Sequence, residues 1–335
     1  MTPGASLVKV PGSWAGPCRF RVRCIAIAVI TLRLAIEAIC ASDSSPDPAA
    51  SRAPTAQNRR IRIASYNVDN YAVISRPQVD GTRRDAGKEE AARDAVARMI
   101  AVLKPEILGL MEIGDAAQFE DLRARLKKAG MDYPYSEYVQ GADPVRHVAL
   151  LSRFPVTARN SEPDITLPVD GIPLHSPRGI LDVTIEPSPG KPLRLLCVHL
   201  KAKLGLPEYD ETRLREAEAV HLRKRIRDIL RSSSAKHLVV MGDFNDTPDS
   251  KTLREIEGKP EWNDSLHPLS LTDDRGETWT EHWESADVYS RIDYILLSHS
   301  LEKAVLSQDS GVFRPSFWKE ASDHCPVFTT LTTTE

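Results

Sequence analysis

Apolar residues recur along this chain in short bursts, and the spacing within each burst predicts an element. Arg60-Ile61-Arg62-Ile63-Ala64-Ser65-Tyr66-Asn67 alternates as a half-buried strand does and ends on Asn67. After a polar loop, residues 86–103 place Ala92, Val96, Met99, Ile100 and Leu103 on one side of a helix that Pro105 stops. The run from Glu106 to Met111 is a second strand, ending on Glu112, and a second helix is predicted over 115–129 with Gly130 as its C-cap. Strand-like pieces follow at 148–151, 180–185 and 193–198, the last ending on His199. The longest helix is predicted over 208–231, with an apolar stripe of Leu214, Ala217, Leu222, Ile226, Ile229 and Leu230 and its many Arg and Glu as a solvated face. Leu238-Val239-Val240-Met241 reads as a buried strand running into Gly242-Asp243-Phe244-Asn245. Two late strands begin where Asp293 leads into Tyr294-Ile295-Leu296-Leu297 and where Asp323-His324 precedes Cys325-Pro326-Val327-Phe328.

The first 58 residues lack this pattern. Arg19, Arg21 and Arg23 precede an apolar run over 24–36, and Ala38-Ile39-Cys40 offers small residues near a cleavage point, so 1–41 reads as a signal peptide for export to the periplasm or beyond. Arg33 and Glu37 interrupt the run, which is too short for a membrane span of about 20 apolar residues. Residues 42–58 are rich in Ser, Pro, Ala and Asp and read as a disordered linker, leaving 59–335 as one folded domain.

Composition narrows the functional classes. With 41% hydrophobic and 27% charged residues the chain is that of a soluble globular protein. Of 44 Lys/Arg and 47 Asp/Glu, six and three precede Arg59, so the domain carries 38 against 44, or −6. A domain that held DNA chiefly through its overall charge would be basic, so only a local basic patch is left open. Cys197 and Cys325 have no zinc-site spacing and read as buried small side chains. Neither a Gly-rich phosphate loop nor a Gly-x-Ser-x-Gly elbow is present.

The chemistry lies at the strand ends. Four strands end on Asn67, Glu112, His199 and Asp243/Asn245, and two begin after Asp293 and Asp323-His324. An Asp/Asn turn taken singly is as readily a chain reversal as a site. For all six to meet at one edge, the last two strands must run against the first four. Carboxylates and carboxamides with few thiols make a hard, oxygen-rich site suited to Mg²⁺, or to Mn²⁺, and not to zinc. Mg²⁺ needs only one or two carboxylates, so Glu112 with Asn67 suffices, and two histidines can move protons near neutral pH. The set reads as metal-assisted hydrolysis of a phosphate ester.

In this order, Ser65-Tyr66-Asn67-Val68-Asp69, Leu110-Met111-Glu112, Val198-His199-Leu200-Lys201, Gly242-Asp243-Phe244-Asn245, Arg291-Ile292-Asp293-Tyr294-Ile295-Leu296 and Ser322-Asp323-His324-Cys325-Pro326-Val327 resemble the motifs of the endonuclease/exonuclease/phosphatase superfamily. The resemblance runs from about Ile61 to Leu331. It implies a four-layer α/β sandwich, two packed mixed sheets with helices outside, in one DNase I-like domain. Carried over by position, it implies Glu112 as the main metal ligand with Asn67 beside it, and Asp323 helping to hold the metal side or the water. His324 is implied as general base or phosphate contact, paired with Asp293, while Asp243 and Asn245 position the water and the scissile phosphate. His199 resembles a second histidine of the DNase I and sphingomyelinase branches and argues against a dedicated abasic-site enzyme.

Asn67-Val68-Asp69-Asn70-Tyr71 and His199-Leu200-Lys201 resemble secreted bacterial nucleases of that family, and the resemblance implies an exported Mg²⁺-dependent nuclease with nucleic acid as substrate, expected to be monomeric and without a stable protein partner. A phosphodiesterase or phosphatase acting on a small or lipid phosphate ester is the alternative, and a catalytically inactive binding module a third. Arg178 is open between a phosphate contact and a surface residue, and Lys201 and Lys203 between a basic lip and solvated lysines. Trp279 and Trp283 are open between stacking on substrate and packing a loop. The other seven histidines (147, 175, 221, 237, 267, 282 and 299) have no matching context and read as core or surface residues.

Overall fold

Two six-stranded sheets stacked face to face dominate the computed structural model, which describes residues 59–333 except 79, 204–208 and 233–235. The expected signal peptide and linker lie outside the described residues. In chain order the sheet strands are β1 (Arg59–Tyr71), β2 (Ile107–Ile113), β3 (Tyr135–Val139), β4 (His147–Ser152), β5 (Val156–Arg159), β6 (Ile180–Ser188), β7 (Lys191–His199), β8 (Leu238–Asp243), β9 (Leu266–Pro268), β10 (Asp293–Ser298), β11 (Gly311–Val312) and β12 (Val327–Thr333). One sheet has the order β11-β12-β1-β2-β4-β3 and the other β9-β10-β8-β7-β6-β5. The helices are α1 (Glu90–Leu103), α2 (Ala116–Lys128), α3 (Glu211–Arg231) and α4 (Lys251–Glu257).

The pleat of the strands builds the layers, because alternate side chains point to opposite faces. Along the second sheet, Leu195, Cys197, Val239, Met241, Ile295 and Leu297 face the first sheet and join its core. Their neighbours Leu196, Val198, Val240 and Leu296 face the other way, onto Leu214, Leu222, Ile226 and Leu253 of α3 and α4. Helices α1 and α2 bury Val96, Met99, Ile100, Leu122 and Leu126 in the core of the first sheet. The four-layer α/β sandwich is therefore the fold. The sheets approach closely at Gly109, where an added Cβ would lie 2.9 Å from both Cys197 Sγ and Met241 Cε. Cys197 and Cys325 are buried and free, as expected.

Strand directions follow the requirement set by the site. β1 and β2 run parallel, as do β7 and β8. β12 runs antiparallel to β1, and β10 antiparallel to β8. The single edge becomes the shared end of two sheets, with Asn67 and Glu112 on one and His199, Asp243 and Asp293 on the other.

Some elements differ from the sequence reading. β1 continues beyond Asn67 to Tyr71 and β2 beyond Glu112 to Ile113. α1 begins at Glu90 and not at 86, because Arg83–Ala86 pair with Ile74–Pro77 in a hairpin. α3 begins at Glu211 behind an Asp210 side chain that accepts two backbone N–H groups. Its charged residues are not all solvated: Glu211, Arg215, Glu218 and Arg223 are buried.

One glycine is essential to the layout. Gly242 has φ 149°, and a Cβ there would stand 1.9 Å from the Val198 carbonyl oxygen of the adjacent strand. Gly242→Ala is expected to destabilise the fold by about 3 kcal/mol or more. Gly87→Ala, where a Cβ meets nothing within 4 Å, is expected to stay near wild type in denaturant titrations of both variants.

Candidate active site

The first sheet delivers Asn67 and Glu112 through paired irregularities. Strands β1 and β2 slip register between Asn67 and Tyr71, and β2 slips against β4 between Met111 and Ile113. Asp69, Asn70 and Glu112 have φ of 44°, 48° and 61°, a left-handed region that non-glycine residues enter at a cost of about 1–3 kcal/mol. Bulges of this kind re-aim side chains beside active sites. Hydrogen bonds hold the distortion: the Asn67 Oδ1 accepts the Asp69 N–H at 3.0 Å, and Glu112 Oε2 accepts the Asn70 N–H at 2.9 Å.

The second sheet delivers its groups by register alone. His199 lies beside Asp243 in the parallel pair, and Asp243 lies opposite Asp293 in the antiparallel pair. Asn245, with φ 50°, donates its backbone N–H to Asp243 Oδ1 at 2.8 Å and its carboxamide to the Leu200 carbonyl at 3.0 Å. His324 arrives on the segment before β12. Ser322 Oγ donates to the Asn67 carbonyl at 2.8 Å and accepts the His324 N–H at 3.0 Å, tying this segment to β1.

These groups converge across the two sheets. Asn67 Nδ2 donates to Asp243 Oδ2 at 3.0 Å and stands 3.4 Å from Glu112 Oε1. His199 Nε2 is 3.5 Å from Asp243 Oδ2 and 3.9 Å from Glu112 Oε1. His324 Nδ1 is bonded to Asp293 Oδ2 at 2.8 Å, and its Nε2 stands 3.9 Å from Asp243 Oδ2. Asp323 Oδ1 is 4.0 Å from the same Nε2, with about half of its side chain (48%) open to solvent. The structure thus gathers Asn67, Glu112, His199, Asp243, Asp293, Asp323 and His324, and holds Asn245 against Asp243 through its backbone.

Burial and charge push the groups apart in proton affinity. Burial, with the Asp293 charge, pushes the Asp243 carboxyl up to about 8, against His324 and the Asn245 and Asn67 hydrogen bonds. Burial alone would lower His324, but the charge and hydrogen bond of Asp293, with Asp323 and Asp243, raise it well above the ordinary histidine value. Burial lowers His199 well below that value, and the Arg178 charge lowers it further. One imidazole is therefore held charged and the other neutral near pH 7, a division of labour common at reacting sites.

The donor set suits a hard divalent cation. Asp243, Asp293 and His324 place one ligand atom each within 4.8 Å of one another, the one such trio among the described residues. Its His324 Nδ1 is already bonded to Asp293, whereas Glu112 is more open (16% for its side chain), has an oxygen 3.4 Å from Asn67 and sits in a strained conformation that aims it at the site. Asp293 Oδ1 and His199 Nδ1 are buried without a hydrogen-bond partner among the described residues, leaving capacity for a ligand or water.

Several neighbours went unread in the sequence. Arg146 Nε lies 3.8 Å from Glu112 Oε2, and Lys88 Nζ bonds the Asp69 carbonyl and carboxylate at 2.7 and 3.0 Å. Neither sits in a motif, so no linear signal marks them; Ser322 was visible only as part of Ser-Asp-His. Arg178 is not a surface residue: it is 5% exposed, with Nη2 3.4 Å from Asp143 and Nε unpartnered among the described residues. Lys201 is neither lip nor solvated, since it is buried on Glu211 at 2.6 Å, whereas Lys203 is half exposed beside Asp246 at 2.9 Å. Trp279 packs against Tyr289 and Trp318 under Arg314, while Trp283 is exposed. His147 and His282 are buried against Tyr138 and Tyr289.

The family model described as the Endonuclease/Exonuclease/phosphatase family matches residues 64–324. A comparison with curated proteins gives no match. Among solved structures, the human Nocturnin catalytic domain with bound sulfate superposes with a TM-score of 0.55 at 18% identity, covering 82% of this chain and 95% of that one. An endonuclease/exonuclease/phosphatase family protein from Bacteroides thetaiotaomicron gives 0.56 at 18% identity, covering 83% and 96%. Truncated Caenorhabditis elegans TDP2 gives 0.53 at 17%, covering 82% and 98%.

The raised groups fix a pH dependence. Asp243 titrates near 8 in the fold against about 3.9 unfolded, and His324 also holds its proton more tightly folded than unfolded. A folded-state pKa above the unfolded one gives stability that is lost as pH rises through the folded value. His199 is neutral in both states above pH 7 and adds no slope there. In EDTA the melting temperature is therefore expected to fall between pH 7 and 9. Added Mg²⁺ should reverse part of that loss in wild type but not in Glu112→Ala. A flat metal-free profile over this range would contradict the assignment.

Proposed function

The chain belongs to the endonuclease/exonuclease/phosphatase family, and from that premise we propose that it is an exported, divalent-metal-dependent phosphodiesterase whose substrate is nucleic acid. The observation that carries this reading is the meeting of His324–Asp293, Asp243, His199 and Glu112 at the shared end of two sheets. Phosphate-ester hydrolysis needs a charge to balance the phosphoryl oxygens, an acceptor for the proton of the attacking water, and a fixed orientation. Each need has a candidate residue.

His324, held charged by Asp293, donates from Nε2 to a phosphoryl oxygen; its raised proton affinity favours this role over that of general base. Asp243, once ionised as the pH approaches 8, accepts the proton of the attacking water, with Asn67 and the Asn245 backbone holding its carboxylate in place. Neutral His199 presents Nε2 between Asp243 and Glu112 and orients the water. Arg178, buried and with no partner for its Nε among the described residues, adds a donor for the phosphate. Glu112, with Asn67 and Asp323, is the proposed holder of Mg²⁺, which when bound supplies positive charge for the phosphate and lowers the pKa of the attacking water. The sulfate in the Nocturnin structure shows that a tetrahedral oxyanion binds that domain, and the same class of ligand is proposed here.

A cleft of about 470 Å³ opens beside Asp323 and bears on the substrate. Arg76, Lys88 and Lys319 line it, Lys88 buried on Asp69, and the adjoining hairpin exposes Arg83 and Arg84, positive charge available to a polyanion. Asp69, Glu89, Glu284, Glu320 and Asp323 line it as well, so acids outnumber bases in the cleft itself. That mixed charge keeps a small or lipid phosphodiester as the second reading. Export rests on the basic and apolar leader over 1–41.

Purified protein incubated with plasmid DNA, RNA and a chromogenic phosphodiester, in Mg²⁺ or EDTA, separates the two. DNA cleavage that EDTA abolishes is expected; intact DNA and RNA beside a cleaved small ester would end the nuclease reading. His324→Ala is expected to lower kcat about 10²–10⁴-fold at unchanged circular dichroism. Full activity in that variant would remove His324 from the mechanism.

A further inference from the structure

Helix α3 carries a polar seam on its inner face. Glu211, Arg215 and Glu218 follow one another by a turn and all are buried. Their contacts meet on Lys201, two residues beyond His199. Glu218 Oε2 accepts the Lys201 backbone N–H at 2.7 Å, Arg215 Nη1 donates to the Lys201 carbonyl at 2.8 Å, and Lys201 Nζ donates to Glu211 at 2.6 Å. Glu218 also reaches a second segment: its Oε1 accepts the Ser176 hydroxyl at 2.6 Å, two residues before Arg178. On the far side of Arg178 the chain is pinned at Gly179, where a Cβ would lie 2.3 Å from the Glu162 carbonyl oxygen.

Stability alone is a poor account of this carboxylate. Removing a carboxylate from water is costly, and an apolar residue beside Leu214, Leu222 and Ile226 of the same helix would pack without that cost. What an apolar residue could not do is bond Ser176 and Lys201 at once.

We propose that Glu218 is a positioning residue for phosphoester hydrolysis, its one carboxylate fixing the spacing between the segment that carries Arg178 and the segment that carries His199. The kinetic consequence rests on the phosphodiesterase reading above; the geometric one does not. Groups that grip a phosphate and orient its attacking water act from opposite sides of one reacting centre, so a displacement near 1 Å can cost about 10²-fold in rate.

Three variants test it by crystallography and by steady-state hydrolysis of bis(p-nitrophenyl) phosphate with Mg²⁺. Glu218→Ala is expected to shift Arg178 relative to His199 by ~1 Å and to lower kcat/KM by ~10²-fold. Glu218→Gln can accept from the Lys201 N–H and donate to Ser176, so it should restore the spacing and stay within about threefold of wild type. Ser176→Ala frees only the Arg178 arm and should raise KM about tenfold with kcat nearly unchanged. A Glu218→Ala protein that melts lower but keeps both the spacing and kcat/KM would overturn the proposal. If Glu218→Ala does not fold, Ser176→Ala decides, and an unmoved Arg178 with an unchanged KM overturns it. Should wild type hydrolyse no phosphoester, the phosphodiesterase reading falls, and the Arg178–His199 spacing in the variant crystals alone decides the positioning role.

Discussion

The buried Asp243 carboxylate is the joint on which the candidate site of this protein depends. It belongs to the second sheet, yet its Oδ2 accepts a hydrogen bond from Asn67 of the first, at 3.0 Å. Its other oxygen is held by the Asn245 backbone, and both histidines stand within 4 Å of it. A carboxylate so deprived of water is costly to ionise, and its proton affinity is raised accordingly. In the proposed mechanism the same cost is what makes it useful, because an acceptor that titrates near 8 can exchange a proton with water. The two sheets must keep their mutual distance for this to hold, and the close approach at Gly109 onto Cys197 and Met241 helps set that distance.

Around this joint the fold uses two different means of placement. The second sheet relies on regular register, which puts His199, Asp243 and Asp293 abreast on three neighbouring strands. The first sheet relies on irregularity, with left-handed residues at Asp69, Asn70 and Glu112 turning side chains that a regular pleat would not aim together. Behind the second sheet, α3 holds the loops rather than the strands. Arg215, besides gripping Lys201, bonds Asp246, one residue beyond Asn245, at 3.1 Å. The helix that supplies much of the outer apolar core thus also braces the segments that follow β7 and β8.

The chain's own pattern made most of this visible. Apolar bursts locate the strands that carry the candidate site, and the polar residues at their ends are Asn67, Glu112, His199, Asp243, Asp293 and His324. The demand that they meet gave the strand directions, and β10 and β12 do run against their neighbours. Shorter elements escaped. The Arg83–Ala86 strand is polar and brief, so its pairing with Ile74–Pro77 leaves no periodic trace. The buried charges of α3 looked solvated because charge in a helix is usually exposed, and only contact with Lys201, Ser176 and Asp246 shows otherwise.

Sequence by itself determined which residues could do the chemistry and on which elements they ride, because side-chain type and apolar period are local properties. Tertiary structure decided how those residues share protons and space. Whether a histidine is charged, as His324 is raised to be, or neutral, as His199 is lowered to be, depends on burial and on charges brought from distant parts of the chain. Whether Arg178 and Lys201 face water or the interior depends likewise on what packs over them. Electrostatics acts through space over a few ångströms, and no spacing along the chain encodes which distant strand will lie that close.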